Sequence, residues 1–227
     1  MKSEKISELT TSRLSIYLRC LLELAEEGHR SVSSDGLAER FHLNSSQIRK
    51  DLAYFGEFGV RGVGYDIETL RDHLIRILGL DRTYNVAIIG AGRLGTALAD
   101  YEGLRRSSFQ VKALFDTDPK KIGKKVGSIE IFDLKNFQSV AKKVNIELAV
   151  IAVPAGPAPE VFDKVKKAGI KAVLNFAPAP LNQEEGSKVK SLDVTSSLES
   201  LSYFLSEKRA SETKPKRTAG KPRRPRQ

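Results

Sequence analysis

Apolar residues in the first part of the chain recur at the three-and-four spacing of helices that bury one face. Over residues 11–27 the inward positions are Leu14, Tyr17, Leu18, Leu21, Leu22 and Ala25, and Gly28 ends the run. Ser34 is placed to cap a short second helix over residues 35–41, with Leu37, Ala38 and Phe41 inward. After a His42-Leu43-Asn44 turn, Asn44 caps a third helix, and Gln47 stands at the second position of a capping box. Ile48, Leu52 and Phe55 make that helix's buried stripe, leaving Ser45, Ser46, Gln47, Arg49, Lys50, Ala53 and Tyr54 on the other face. Residues 56–65 then hold four glycines among β-branched and aromatic residues, the composition of a tight hairpin. A further amphipathic helix fits residues 67–78, with Gly79 as its stop. Three helices followed by a hairpin is the order of a winged helix-turn-helix.

The period changes from Tyr84 onward. Val86-Ala87-Ile88-Ile89 is a short, wholly apolar run, as a strand buried on both faces requires. Further strands are expected at 111–115, 148–153 and 172–174, with weaker ones near 129–131 and 192–194. Helical segments at 93–101, 134–144 and 159–168 separate them, and this alternation predicts a doubly wound parallel sheet. Ser196-Ser197-Leu198-Glu199 has the form of a capping box opening a last helix over 197–209. Its Leu198, Leu201, Phe204 and Leu205 form an apolar stripe that needs a partner surface.

Composition adds a class. Hydrophobic residues at 40% and charged residues at 29% suit a soluble globular chain. The polar start MKSEKISELT carries no signal-peptide pattern, and the longest uncharged stretches are too short to span a bilayer, so no membrane partner is expected. The single Cys20 excludes an internal disulfide and a CxxC metal site, which suits a reducing cytoplasm without a bound metal. The net charge of +10 is uneven: residues 1–82 sum to −1, 83–207 to +3 and 208–227 to +8. The last segment has three prolines and no apolar periodicity, so it reads as a basic disordered tail. Such a tail adds non-specific phosphate affinity or serves only as a solubilising extension.

The sharpest motif is Gly90-Ala91-Gly92-Arg93-Leu94-Gly95, a GxGxxG that follows an apolar strand and opens a helix. Gly90 permits the turn, Gly92 lets backbone approach a pyrophosphate, and Gly95 lets the helix pack closely; amides at the helix start hold the anion. The next strand ends in Asp116, twenty-one residues beyond Gly95. A carboxylate there binds the adenine ribose hydroxyls and repels a 2′-phosphate, favouring NAD(H) over NADP(H). Val153-Pro154 and Asn175-Phe176 begin loops at the ends of later strands, small and apolar enough for a nicotinamide or merely loop-forming. No catalytic domain is evident, and His29, His42 and His73 all fall in the N-terminal part. An enzyme is therefore not expected; the alternative, a small NAD-dependent oxidoreductase, would have to use Tyr101 or Asn175 as its acid–base group.

The runs Gln47–Gly56, Arg61-Gly62-Val63-Gly64-Tyr65, Gly90–Gly95, Ala99-Asp100-Tyr101, Phe115-Asp116-Thr117-Asp118-Pro119 and Asn175-Phe176-Ala177-Pro178 together resemble the Rex family of redox-sensing repressors. The resemblance implies a homodimer whose C-terminal helix swaps onto the partner, bound to double-stranded operator DNA with NAD⁺ and released by NADH. It also implies that Arg13 and Asp193 form a charge pair that switches with redox state, and that Tyr101 lies near the nicotinamide. The chain departs from the family at Val194, which the resemblance aims at the partner's nicotinamide pocket and where the compared member has a larger phenylalanine.

The domains expected are a winged helix with its linker helix (1–82), a Rossmann nucleotide domain (83–195), a dimerisation helix (196–209) and the tail (210–227). On the third helix, Gln47, Arg49 and Lys50 are expected to meet base edges and phosphates, and Ser46 and Tyr54 the backbone, with a solvated helix face as the plain alternative. Arg61 at the wing tip would enter the minor groove. Two-fold symmetry predicts a palindromic operator.

Overall fold

Ser7 opens the first helix, α1 (Glu8–Glu26), by accepting the Thr10 amide on its hydroxyl, one of the amides a helix cannot satisfy internally. The stripe Leu14, Tyr17, Leu18, Leu21 and Leu24 is buried along it, together with Cys20, whereas Leu22, expected inward, is exposed. This computed structural model describes residues 6–60, 62–105, 107–183 and 185–212, and the chain divides into two compact units after Thr83.

The first unit continues through β1 (Ser31–Val32), α2 (Ser34–Phe41), α3 (Ser45–Phe55), β2 (Gly59–Val60), β3 (Gly64–Asp66) and α4 (Ile67–Ile77). Leu14, Leu37, Ile48, Leu70 and Leu74, each at most 1% exposed, make its core. The expected hairpin is present, and β3 also pairs antiparallel with β1, giving the order β1-β3-β2. Gly64 makes this possible: its φ is +102°, and a Cβ there would lie 2.6 Å from the Val32 carbonyl oxygen. Two details correct the sequence expectation. Ser33, not Ser34, caps α2 by accepting the Gly36 amide. Asn44 caps α3 as expected, but the Gln47 side chain donates to Asp51 instead of closing a capping box.

The second unit runs β4 (Tyr84–Ile89), α5 (Arg93–Asp100), α6 (Glu102–Arg105), β5 (Phe109–Asp116), β6 (Lys125–Val126), β7 (Ile129–Asp133), a 3₁₀ turn into α7 (Phe137–Lys143), β8 (Leu148–Ile151), α8 (Ala158–Lys167), β9 (Ala172–Asn175), β10 (Lys188–Ser191) and α9 (Val194–Glu212). Its sheet has the order β10-β9-β8-β4-β5-β7-β6 and is parallel except where β6 folds back on β7. One face packs on α7 and α8 through Phe115, Phe137, Val161, Phe162 and Val165. The other holds Val86, Ile88, Leu114 and Val150 with Ala99 of α5. Strand order reverses at β4, between β5 and β8, where a doubly wound sheet opens its ligand crevice.

The strand expected near 192–194 is instead β10 at 188–191. Asp193 follows and caps α9, accepting the Thr195 and Ser196 amides at 2.9 and 3.1 Å. The last helix thus begins three residues before the expected 197, is capped by Asp193 instead of Ser196, and takes in residues 210–212 of the supposed tail. Residues 213–227 lie outside the described chain.

Phe115 is fully buried between Phe132 and Phe137, with ring centroids 5.9 and 4.8 Å away. Phe115→Ala is expected to cost about 3–5 kcal/mol, read as a lowered urea midpoint with unchanged slope.

Candidate DNA-reading and nucleotide sites

The expected reading face of α3 is exposed as one stripe: Ser46, Arg49, Lys50, Ala53 and Tyr54 all face solvent. Arg49 already has protein partners, donating to Ser34 Oγ at 2.7 Å and pairing with Asp35 at 3.3 Å. Tyr54 packs edge-on against Phe55. Arg61 lies outside the described residues. Thr10 and Arg13 of α1 join Gln47, Lys50 and Tyr54 around a cleft of about 210 Å³ with Asp51 at its side.

Sequence reasoning missed the centre of this unit. Asp51, only 5% exposed, takes four hydrogen bonds. Oδ2 accepts from Arg13 Nε (2.6 Å) and the Tyr17 hydroxyl (2.9 Å); Oδ1 accepts from Arg13 Nη2 (2.8 Å) and Gln47 Nε2 (2.7 Å). The bidentate guanidinium ties α1 to α3 in the stronger class of ion-pair geometry. A carboxylate only accepts, so Gln47 must turn its Nε2 toward Asp51, which leaves Oε1 to accept from another group. Burial, with the bond to Asp51, pushes the Tyr17 hydroxyl up, so it stays a donor. The visible signal was a Gln and an Asp four residues apart on one helix, which reach each other.

In the second unit each motif glycine has its own reason. A Cβ on Gly90, at φ +104°, would lie 2.4 Å from the Ala152 carbonyl oxygen. On Gly95 it would lie 1.8 Å from the Gly90 carbonyl oxygen. Gly92 differs: its φ is −82° and nothing stands within 4 Å of a Cβ built there. It heads α5 without a side-chain cap, beside exposed Arg93 and Leu94.

Asp116 accepts the Ala91 amide (3.0 Å) and Lys121 Nζ (2.9 Å) on Oδ2, and the Thr117 and Asp118 amides (2.8 and 2.9 Å) on Oδ1. The Ala91 N–H is therefore spent inside the protein. Burial pushes the Asp116 carboxyl up, but the bonds from Lys121 and the loop amides outweigh it and hold it below the usual carboxylate range. Asn175 is fully buried and closes its own loop: Nδ2 donates to Ala177 O, Ala179 O and Ser191 Oγ, and Oδ1 accepts the Ala177 amide. This shapes the loop and engages both ends of the Asn175 amide. Val153 is half-buried and Pro154 exposed. Tyr101, 60% exposed, and Phe176 line an apolar groove of about 430 Å³ with Val86, Leu98, Val150 and Leu174.

Within its own unit each member of the expected switch pair has a partner: Arg13 is bound to Asp51, and Asp193 caps α9.

A helix-turn-helix with its hairpin in one unit and a dinucleotide-type crevice in the other are the parts of a ligand-responsive transcription regulator. Residues 5–53 match a family model described as "Putative DNA-binding protein N-terminus", and residues 81–179 match one described as "CoA binding domain". The redox-sensing transcriptional repressor Rex of Carboxydothermus hydrogenoformans is 46% identical, covering 90% of this chain and 99% of that protein. The Rex repressor of Chloroflexus aggregans is 45% identical, covering 90% and 96%. The crystal structure of RSP with β-NAD⁺ and operator DNA superposes with a TM-score of 0.87 at 36% identity, over 92% of this chain and 97% of that one. RSP with β-NADH gives 0.81 at 35% identity, over 91% and 97%. The chain belongs to the Rex family of redox-sensing transcriptional repressors.

The Asp51 cluster carries a pH prediction. Burial pushes its carboxyl up, but bonds from Arg13, Gln47 and Tyr17 outweigh this and hold it below the usual range. Its stabilisation is therefore present above the unfolded value of about 3.9 and is lost as pH falls through the lower folded value. Asp51→Asn should cost about 2–4 kcal/mol at neutral pH. It should also flatten the curve of urea midpoint against pH over the acid limb.

Proposed function

We propose that the chain is a homodimeric repressor that holds a palindromic operator in its apo or NAD⁺ form and releases it when NADH binds. It acts in the cytoplasm by binding, not by turnover. Gly92 carries the nucleotide half of this reading. Neither its φ nor its neighbours require glycine, so the open space beside it suits a ligand that must approach the backbone. A pyrophosphate held by the uncapped first turn of α5 fits that demand. Gly90 and Gly95 set the turn, Arg93 and Leu94 flank the phosphates, and Asp116 takes the adenine ribose. Val153, Pro154, Tyr101 and Phe176 would border the nicotinamide, while Asn175 shapes its loop. NAD(H) supplies a redox-dependent charge: NAD⁺ carries a cationic ring and NADH a neutral one, and apolar surroundings favour the neutral form.

On DNA, α3 lies in the major groove. Gln47, its amide held by Asp51, offers Oε1 to a base amino group, and Arg49 and Lys50 meet bases and phosphates. Ser46, Tyr54 and the small cleft lined by Arg13 and Lys50 suit the phosphate backbone. Arg61 would take the minor groove. The stripe Leu198, Leu201, Phe204 and Leu205, each more than half exposed, is matched by the apolar groove beside Phe176, and a swapped α9 would cover both. The resemblance pairs Arg13 with Asp193. Because Arg13 is bound to Asp51, a change of its partner would act directly on α3.

The test is fluorescence anisotropy of a labelled palindromic operator at fixed salt. NADH should weaken binding about tenfold or more and NAD⁺ should not, since a switch works only through differential affinity. Asp116→Ala should need more NADH for the same release. Operator binding indifferent to both nucleotides would sink the switch.

A further inference from the structure

The Asp116 carboxylate offers about four acceptor positions, and four donors occupy them: the Ala91, Thr117 and Asp118 amides and Lys121 Nζ. A ribose hydroxyl that donates to this carboxylate must therefore displace a donor, not join a vacant place. Three of the donors are backbone amides fixed by the glycine turn and by the loop after β5. The fourth ends a flexible side chain that is 38% exposed and can leave for water without moving the backbone.

We propose that Lys121 is a specificity-determining residue that competes with the adenine ribose for Asp116 and softens the site's rejection of a 2′-phosphate. This rests on Asp116 as the ribose acceptor. With Lys121 in place, NAD(H) binds only as the ion pair opens, so its affinity is lowered by the strength of that pair. The displaced ammonium remains beside the ribose edge, where it offsets part of the repulsion between Asp116 and a 2′-phosphate. Both effects lie at the adenosine end, which NAD⁺ and NADH share. Lys121 therefore sets how tightly the nucleotide binds without setting which redox form is preferred.

Lys121→Met keeps length and apolar stem but removes the cation. Titrations following the fluorescence of NADH and NADPH, with NAD⁺ read by competition, are the measurement, and no tryptophan is present to interfere. NADH and NAD⁺ should both bind about threefold to fivefold more tightly, as expected for releasing one partly exposed pair. NADPH should bind more weakly. Lys121→Arg should keep the wild-type values, and operator affinity without nucleotide should not change. Unchanged or weakened NADH binding in Lys121→Met would overturn the proposal, as would unequal shifts for NADH and NAD⁺. Asp116→Ala separates the two failures. If it leaves NADH affinity intact, the ribose assignment itself is wrong; if it weakens NADH while Lys121→Met does not strengthen it, only the competition is wrong.

Discussion

The nucleotide unit is organised by a contact between backbones. At the end of β4 the chain turns at Gly90, and α5 begins so close that a Cβ on Gly95 would sit 1.8 Å from the Gly90 carbonyl oxygen. That proximity brings the uncapped first turn of α5 to the carboxyl end of the central strand, at the point where strand order reverses. Asp116, at the end of β5, then binds the Ala91 amide and fixes the turn from the other side. Two strand ends and a helix start are thereby held in one geometry by backbone groups. The helix dipole and its free amides become useful only because this packing aims them.

Both units rest on a saturated carboxylate, but the two differ in kind. Asp51 is surrounded by side chains from α1 and from its own helix. Removing any one leaves a buried acceptor short, so the cluster behaves as a rigid clamp on α3. Asp116 is held mainly by backbone amides and by a single mobile cation. The first arrangement suits a joint that holds its angle; in the second, one donor can leave without moving the backbone. Burial alone does not separate them; the identity of the donors does.

How much of this the sequence disclosed follows from the range of each interaction. The stripe Ile48, Leu52 and Phe55 and the Asn44 cap of α3 are local, and so is the GxGxxG turn, so period and residue type were enough. Gln47 was ambiguous, because the third position of a helix allows both a capping box and a pair with the residue four further on; the buried Asp51 decided it. β1 is two residues long, and its pairing with Asp66 and Tyr65 is set by distant sequence. The start of α9 was misplaced because Ser196 and Asp193 are both good caps, and the strand before it ended earlier than Leu192 and Val194 suggested. Lys121 has no motif. It stands five residues beyond Asp116, and the turn after β5 folds it back onto that carboxylate.

Saturation also bears on how a binding event could be felt elsewhere. A carboxylate with an open lone pair can accept a new donor with no consequence for the donors already present. One with none must release a partner, and the released group carries charge into a new position. Asp51 holds Arg13 by two nitrogens while also orienting Gln47, so any competitor for that guanidinium alters α1, α3 and the Gln47 amide together. A loosely hydrated surface pair would absorb the same competitor with little change. Because the cluster is full it has no slack, and a local exchange of partners at Asp51 would move α3 itself.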